Sequence, residues 1–186
     1  MKIKRWKKVG KFEDKFRAKY GQFVGKQVFE NPENGKREDF FFHGEGEGVR
    51  VLAVTEDQKI VVIEEYQHAI DRVIFQFPTG GIKTGESLTS AARRELLEET
   101  GYKPGKLIYL GESYAFPRSS PTKEYSFLAL NCRRIGKQKL DGHENIKFTE
   151  VPLRKWIRSI EKGEIGQQTS VLTTFRALPY LKLTIK

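Results

Sequence analysis

Between Gly80 and Tyr102 the chain reads GGIKTGESLTSAARRELLEETGY, a glycine loop followed by a run crowded with carboxylates. On a helix of 3.6 residues per turn, Glu95, Glu98 and Glu99 fall at i, i+3 and i+4 and share a face spanning roughly 100°. Three carboxylates this close repel one another, and cations among them relieve the repulsion. Ligand sets made only of oxygen favour a hard divalent ion, here magnesium with manganese as the alternative. Arg94 stands four residues before Glu98, where its guanidinium can pair with that acid and orient the face. A bare RELLEE run would read as a solvated helix face; the residues spaced around it argue otherwise.

Such a face needs a helix with defined ends and a framework behind it. Residues 87–100 read as the helix, with Gly101 as its C-terminal stop. Residues 22–30 and 38–43 read as strands, and Asn34-Gly35 between them is a hairpin signal because both residues tolerate positive φ. Residues 48–54 and 59–66 cluster Val, Ile and Leu around the polar turn 55–58, a second hairpin. A short strand over 73–77 is stopped by Pro78 and Gly80. Further strands are expected over 106–113 and 124–131, and helices over 152–162 and 170–178, the first with Pro152 near its start. Strands and helices mix without strict alternation, so a mixed sheet packed by helices is expected, with the two leading strands as a separate small sheet.

The residues resemble the Nudix box: Gly80, then Glu86, Arg94, Glu95, Leu96, Glu98, Glu99, Gly101 and Tyr102 at the family's spacing. Seven of these positions demand one residue type each, and at average usage a chance match is roughly one in 10⁸ per window. Tyr102 is the loose fit, since an aliphatic residue is usual there. The resemblance implies an α/β fold, an αβα sandwich with a mixed sheet, in which the box forms a loop–helix–loop; a small N-terminal β-sheet lobe would precede it. It implies hydrolysis of a nucleoside diphosphate linked to another group. Carried onto matching positions, Glu95 and Glu99 are principal metal ligands, the backbone carbonyl of Thr79 completes the set, and Glu98 stands close by. Arg94 holds the constellation in shape, and Glu86 acts through metal-bound water or holds the loop.

Outside the box the chain resembles the ADP-ribose pyrophosphatase branch over residues 22–178. Phe77-Pro78-Thr79-Gly80 is similar to that branch's entry to the box. Pro117 lies where the branch places a marker proline, and Glu124 follows it at the matching interval. Arg50 resembles a basic position near the substrate; its alternative is a solvated charge at a strand end. Gln67 stands where the branch often has an arginine for the substrate phosphates, and Gln76 where a glutamate is common. The resemblance implies a general base on a mobile loop. Glu144 is the matching position, with Glu150 in reserve. His143 and His68 lack metal-ligand spacing and read as ordinary polar residues.

The 186 residues suit one domain, or one domain plus a small lobe, and the 38% hydrophobic and 31% charged content is that of a soluble protein. No apolar run reaches the roughly 18 residues of a bilayer span, and no apolar stretch follows the positive N-terminus as in a signal peptide. Cys132 is the single cysteine, so no internal disulfide can form, and a cytoplasmic setting is expected. The formal net charge is +10, concentrated before residue 27. We read residues 1–21 as a solvated basic segment whose Trp6, Phe12, Phe16 and Tyr20 dock on the core; nucleic-acid contact is the alternative. Residues 22–43 would form dimerising strands and residues 44–186 the hydrolase domain. Phe23, Val24, Val28, Phe29, Phe40, Phe41 and Phe42 are too many apolar groups for an isolated hairpin to expose, and the resemblance favours a second subunit as their cover. The expected function is hydrolysis of ADP-ribose or a related nucleoside diphosphate sugar by a homodimer. The alternative is a Nudix hydrolase of dinucleoside polyphosphates or RNA 5′ ends.

Overall fold

A computed structural model describes residues 2–18, 21–142 and 144–181. Tyr20 and His143 lie outside the described residues. The chain divides into two compact units: residues 1–46 with 114–123, and residues 47–113 with 124–186. The grouping differs from a boundary at residue 44 in drawing the 114–123 segment into the first unit.

The first unit is a three-stranded antiparallel sheet ordered β1 (Lys7–Arg17), β2 (Phe23–Glu30), β3 (Arg37–Gly44). The basic segment is therefore not a separate tail, since β1 pairs along β2. Gln27 secures the pairing by donating its side-chain amide to the Val9 carbonyl at 2.8 Å. One sheet face carries an aromatic cluster: Trp6 packs edge-on against Phe40, and Phe12 against Phe23. Phe29 bridges Phe40 and Phe42. The Phe12 ring lies where a Cβ on Gly25 would sit, so only glycine admits it. The β2–β3 connection is a hairpin across the expected turn-rich stretch that holds Asn34-Gly35. Glu30 pairs with Arg37, which leaves a six-residue loop, and only Gly35 in it takes a positive φ, 68°.

The second unit holds an eight-stranded mixed sheet. Its central path is β11 (Ile146–Pro152), β5 (Lys59–Gln67), β4 (Gly48–Thr55), β10 (Lys123–Arg134), β8 (Tyr102–Lys103). Beside it, β6 (Arg72–Gln76) pairs with β5, β7 (Thr79–Gly81) with β4, and β9 (Lys106–Tyr114) with β10. The β4–β10 pair is parallel; β4 and β5 form the expected antiparallel hairpin. Strand alternation sorts the core into two layers. Val49, Val51 and Ala53 of β4 pack with Ala91, Ala92 and Leu96 of α1 (Leu88–Thr100). Leu52 and Val54 pack with Leu153 and Trp156 of α2 (Leu153–Glu161) and Ala177 of α3 (Gln168–Ala177). Helices thus cover both sheet faces, as an αβα sandwich requires. Among the described residues no helix is long and apolar enough to cross a membrane.

Candidate active site

Helix α1 begins and ends where its sequence dictates. The Ser87 hydroxyl accepts the Ser90 amide at 3.1 Å, and Gly101 closes the helix at φ 77°. Its inner face buries Ala91, Ala92 and Leu96, which fixes the rotation of the helix on the sheet. Glu95 and Glu99 lie at the edge of that buried face and Glu98 further out, so the first two are 7% and 3% exposed. Burial raises the Glu99 carboxyl well above its ordinary range, against the opposing pull of the Thr79 amide, which donates to it at 2.9 Å. Burial raises Glu95 as well, and Arg94 opposes the shift.

Short strand β7 brings the box entry to this face. It pairs with the start of β4, and the Thr79 hydroxyl donates to the Val49 carbonyl at 2.9 Å. Gly80 passes flat against the Glu95 carboxyl; a Cβ there would overlap it and displace the carboxyl from its bond to Arg94. Arg94 binds the loop to the helix. Its Nε and Nη2 donate to the two Glu86 oxygens at 2.8 Å each, and Nη2 also to the Gly81 carbonyl at 2.8 Å. Its Nη1 donates to Glu95 at 2.6 Å and to Glu98 at 3.0 Å. The fork lowers the Glu86 carboxyl to about 2.

Two acids face this helix from elsewhere in the unit. Glu65 of β5 is half-buried; burial raises its carboxyl, while side-chain amides of Gln76 and Gln67 donate to it, the latter at 2.9 Å. Glu144 lies in the loop before β11, its carboxylate accepting the Asp141 amide at 2.8 Å. The Glu144 charge raises Glu65, Glu95 and Glu99 alike, which places it in the field of the carboxylate face. Glu150 lies elsewhere. It accepts from Tyr102 and from Lys59 (3.0 Å), and these partners lower its carboxyl. The reserve position for a general base is thus occupied in a structural ion pair.

Arg50 is 3% exposed and is not the solvated strand-end charge that was the alternative. Alternation along β4 turns it towards α3. Nε donates to Glu124 at 3.1 Å and Nη1 to the Gln76 carboxamide at 3.0 Å, with Ser170 at 3.4 Å. Gln67, Glu65, Gln76, Arg50 and Glu124 therefore form one continuous polar network. Pro117 opens an exposed turn in the first unit, where the Phe116 carbonyl accepts the Ser119 and Ser120 amides at 3.0 and 2.7 Å. His68 sits in a short 3₁₀ turn, its ring against Tyr66.

Sequence reading missed Glu65, Gln138 and Ser170. Gln138 donates to the Glu99 carbonyl at 2.6 Å and to the Ile146 carbonyl at 3.3 Å, tying the end of α1 to the start of β11 and so fixing the base of the Glu144 loop. None of the three belongs to a local pattern; each acquires its role only from tertiary neighbours.

Among the described residues no three His, Cys, Asp or Glu side chains converge closely enough to hold a metal as they stand. The donor chemistry nonetheless fits a hard divalent cation. Glu95 and Glu98 each commit one oxygen to Arg94 and keep the other, Glu99 is fixed beside them, the Glu98 charge raises Glu95 and the Glu95 charge raises Glu99, and among the described residues Arg94 is the sole cation bonded to the helix face.

The NUDIX domain family matches residues 44–167. An ADP-ribose pyrophosphatase of Bacillus subtilis is 32% identical over 92% of this chain and 94% of its own length. A methanol dehydrogenase activator of Bacillus methanolicus is 28% identical over 82% of this chain and 80% of its own. The crystal structure of an ADP compounds hydrolase superposes with a TM-score of 0.84, covering 98% of this chain and 97% of that one at 22% identity.

Proposed function

This chain belongs to the Nudix family and is a pyrophosphohydrolase of that family, and we propose that it hydrolyses the pyrophosphate bond of ADP-ribose or a related nucleoside diphosphate sugar. Water adds to one phosphorus, the bond from that phosphorus to the bridging oxygen breaks, and a nucleoside monophosphate and a sugar phosphate leave. The observation that carries the proposal is the fastening of the Thr79–Gly81 strand to the Glu95–Glu98–Glu99 face through Arg94 and the Thr79 amide. The substrate class is supported by the Bacillus subtilis relative, which matches nearly end to end.

Glu95 and Glu99, with the Thr79 carbonyl and Glu98 close by, would hold magnesium or manganese. Such an ion, when bound, supplies positive charge to the pyrophosphate oxygens. Arg94 keeps the carboxylates in register and prevents them from splaying. Glu144 takes the proton from the attacking water at its carboxylate, and Gln138 anchors the segment that carries it. Arg50, held by Glu124 and Gln76, and Gln67 on the same network serve the substrate side; Pro117 joins that set by resemblance alone. We further propose a homodimer. Phe16, Val24 and Phe41 lie on one face of the first unit's sheet, opposite the aromatic cluster, and are 60%, 44% and 65% exposed, which supports a second subunit as their cover. A cytoplasmic location is proposed on the free, buried Cys132.

The test is incubation with magnesium and a panel of ADP-ribose, other nucleoside diphosphate sugars, dinucleoside polyphosphates and 5′-triphosphate RNA, with products identified by mass. Fastest turnover of ADP-ribose or a nucleoside diphosphate sugar to two monophosphates supports the proposal. Fastest turnover of RNA or a dinucleoside polyphosphate overturns it.

A further inference from the structure

Beside the turn that ends β4 lies a concavity of about 440 Å³, within the size range of small-molecule sites. It is lined by Lys103, Lys106, Arg133, Glu56, Asn131 and Ile135, with Pro104 and Gly105 between the lysines. Its lining shares no residue with the carboxylate face.

A backbone irregularity builds this cavity. In the parallel pairing of β10 with β4, Ala129 meets Ala53 but Cys132 meets Thr55, so β10 carries one extra residue. Asn131 absorbs it at φ 52°, in the left-handed region. The insertion reverses the facing of the strand beyond it. Tyr125, Phe127 and Ala129 point to the α1 layer, and after the bulge Cys132 does so instead. Arg133 is thereby turned to the opposite face, where it pairs with Glu56 at 2.7 Å. Gly105 lies so close to the bulge that a Cβ would come within 3.2 Å of Asn131, and its amide donates to the Leu130 carbonyl at 3.0 Å.

Charge at the cavity is unbalanced. Arg133 and Lys103 are direct cross-strand partners, an unfavourable arrangement for like charges. Glu56 offsets Arg133 alone, and no described acid pairs with Lys103 or Lys106. Two net positive charges therefore border a hollow that also presents the Asn131 carboxamide and an apolar wall of Pro104 and the exposed Ile135. We propose that this cavity is a second ligand site, for an organic phosphate of nucleotide size: the lysines take the phosphate, the wall takes the organic group, and the bound anion relieves the Lys103–Arg133 repulsion.

The test is titration of AMP into the ¹⁵N-labelled full-length protein in EDTA, following backbone amides by NMR. The proposal expects saturable shifts at Lys103, Gly105, Lys106, Asn131 and Arg133. They persist in Glu99→Gln and weaken at least about tenfold in Lys103→Glu/Lys106→Glu, or severalfold in Lys106→Gln should the double variant fold poorly. Adenosine alone should leave these amides unmoved, and inorganic phosphate should move them only at higher concentration. Unmoved amides with AMP, or shifts of equal affinity in the lysine variants, overturn the site; equal affinity for phosphate and AMP overturns the role of the apolar wall.

Discussion

Arg94→Lys keeps the charge at the hub of the box and removes its geometry. The guanidinium makes five hydrogen bonds: two to Glu86, one each to Glu95 and Glu98, and one to the Gly81 carbonyl. An ammonium can replace one or two of these at a time and cannot form the planar fork. Charge-assisted hydrogen bonds contribute roughly 1.5–3 kcal/mol each where buried; Arg94 and Glu86 are only partly so, at 18% and 14% side-chain exposure. Discounting for solvent, we expect a loss of about 2–3 kcal/mol, or a Tm lower by roughly 4–12 °C for a chain of this length. The pH dependence adds a signature. Glu86 has its carboxyl depressed to about 2. A depressed carboxyl stabilises the fold fully above its unfolded value of 4.5 and loses that contribution as pH falls through about 2. The Tm gap between wild type and Arg94→Lys should therefore be widest near neutrality and narrow as pH falls from 4.5 towards 2. Scanning calorimetry across that range decides the matter: a Tm within one degree of wild type at pH 7, or a gap independent of pH, refutes the hub.

Glu99→Gln keeps the shape of a buried side chain and can still accept the Thr79 amide. We expect a native circular dichroism spectrum with turnover lowered at least about 10²-fold, and near-native turnover at saturating magnesium would remove Glu99 from the ligand set. Glu144→Gln should lower kcat by about 10²–10⁴-fold with little change in KM, whereas Glu150→Gln should retain kcat and lose some stability through Tyr102 and Lys59; steady-state kinetics on both distinguishes them, and the reverse pattern would exchange their roles. Burial holds the Cys132 thiol up at about 12. Its neutral form stabilises the fold below the ordinary thiol value and that contribution is lost as pH rises towards 12, so the thiol should resist Ellman's reagent at pH 8 until urea unfolds the chain; rapid native labelling contradicts the burial. Phe16→Ser/Phe41→Lys should turn a dimer into monomers by light scattering, and a wild-type monomer at micromolar concentration would dispose of the dimer.

The carboxylate helix was legible because its information is local: Ser87 and Gly101 mark its ends, and the i, i+3, i+4 spacing sets its face. The β4–β5 hairpin was legible for the same reason, through apolar runs on both sides of a polar turn. Strand β1 escaped because a mostly exposed edge strand of Lys, Arg and Glu has no buried face to write into its sequence. β7 and β8, of three and two residues, are too short for any period to register. β11 was hidden by its polar alternation, with Ile146 its one buried residue. At Asn34-Gly35 the hairpin was legible, and of the six loop residues only Gly35 takes a positive φ. Arg50 shows the limit most clearly: its position near a strand start was readable, but its burial follows from Glu124, Gln76 and Ser170, which lie 74, 26 and 120 residues away.

The most direct test of the carboxylate face is manganese binding by electron paramagnetic resonance, which reads free aqueous ion and needs no substrate. The wild type should bind at least one ion, and Glu95→Gln/Glu99→Gln should weaken that binding at least about tenfold with the fold intact. Equal binding by the folded double variant would place the metal elsewhere and contradict the account.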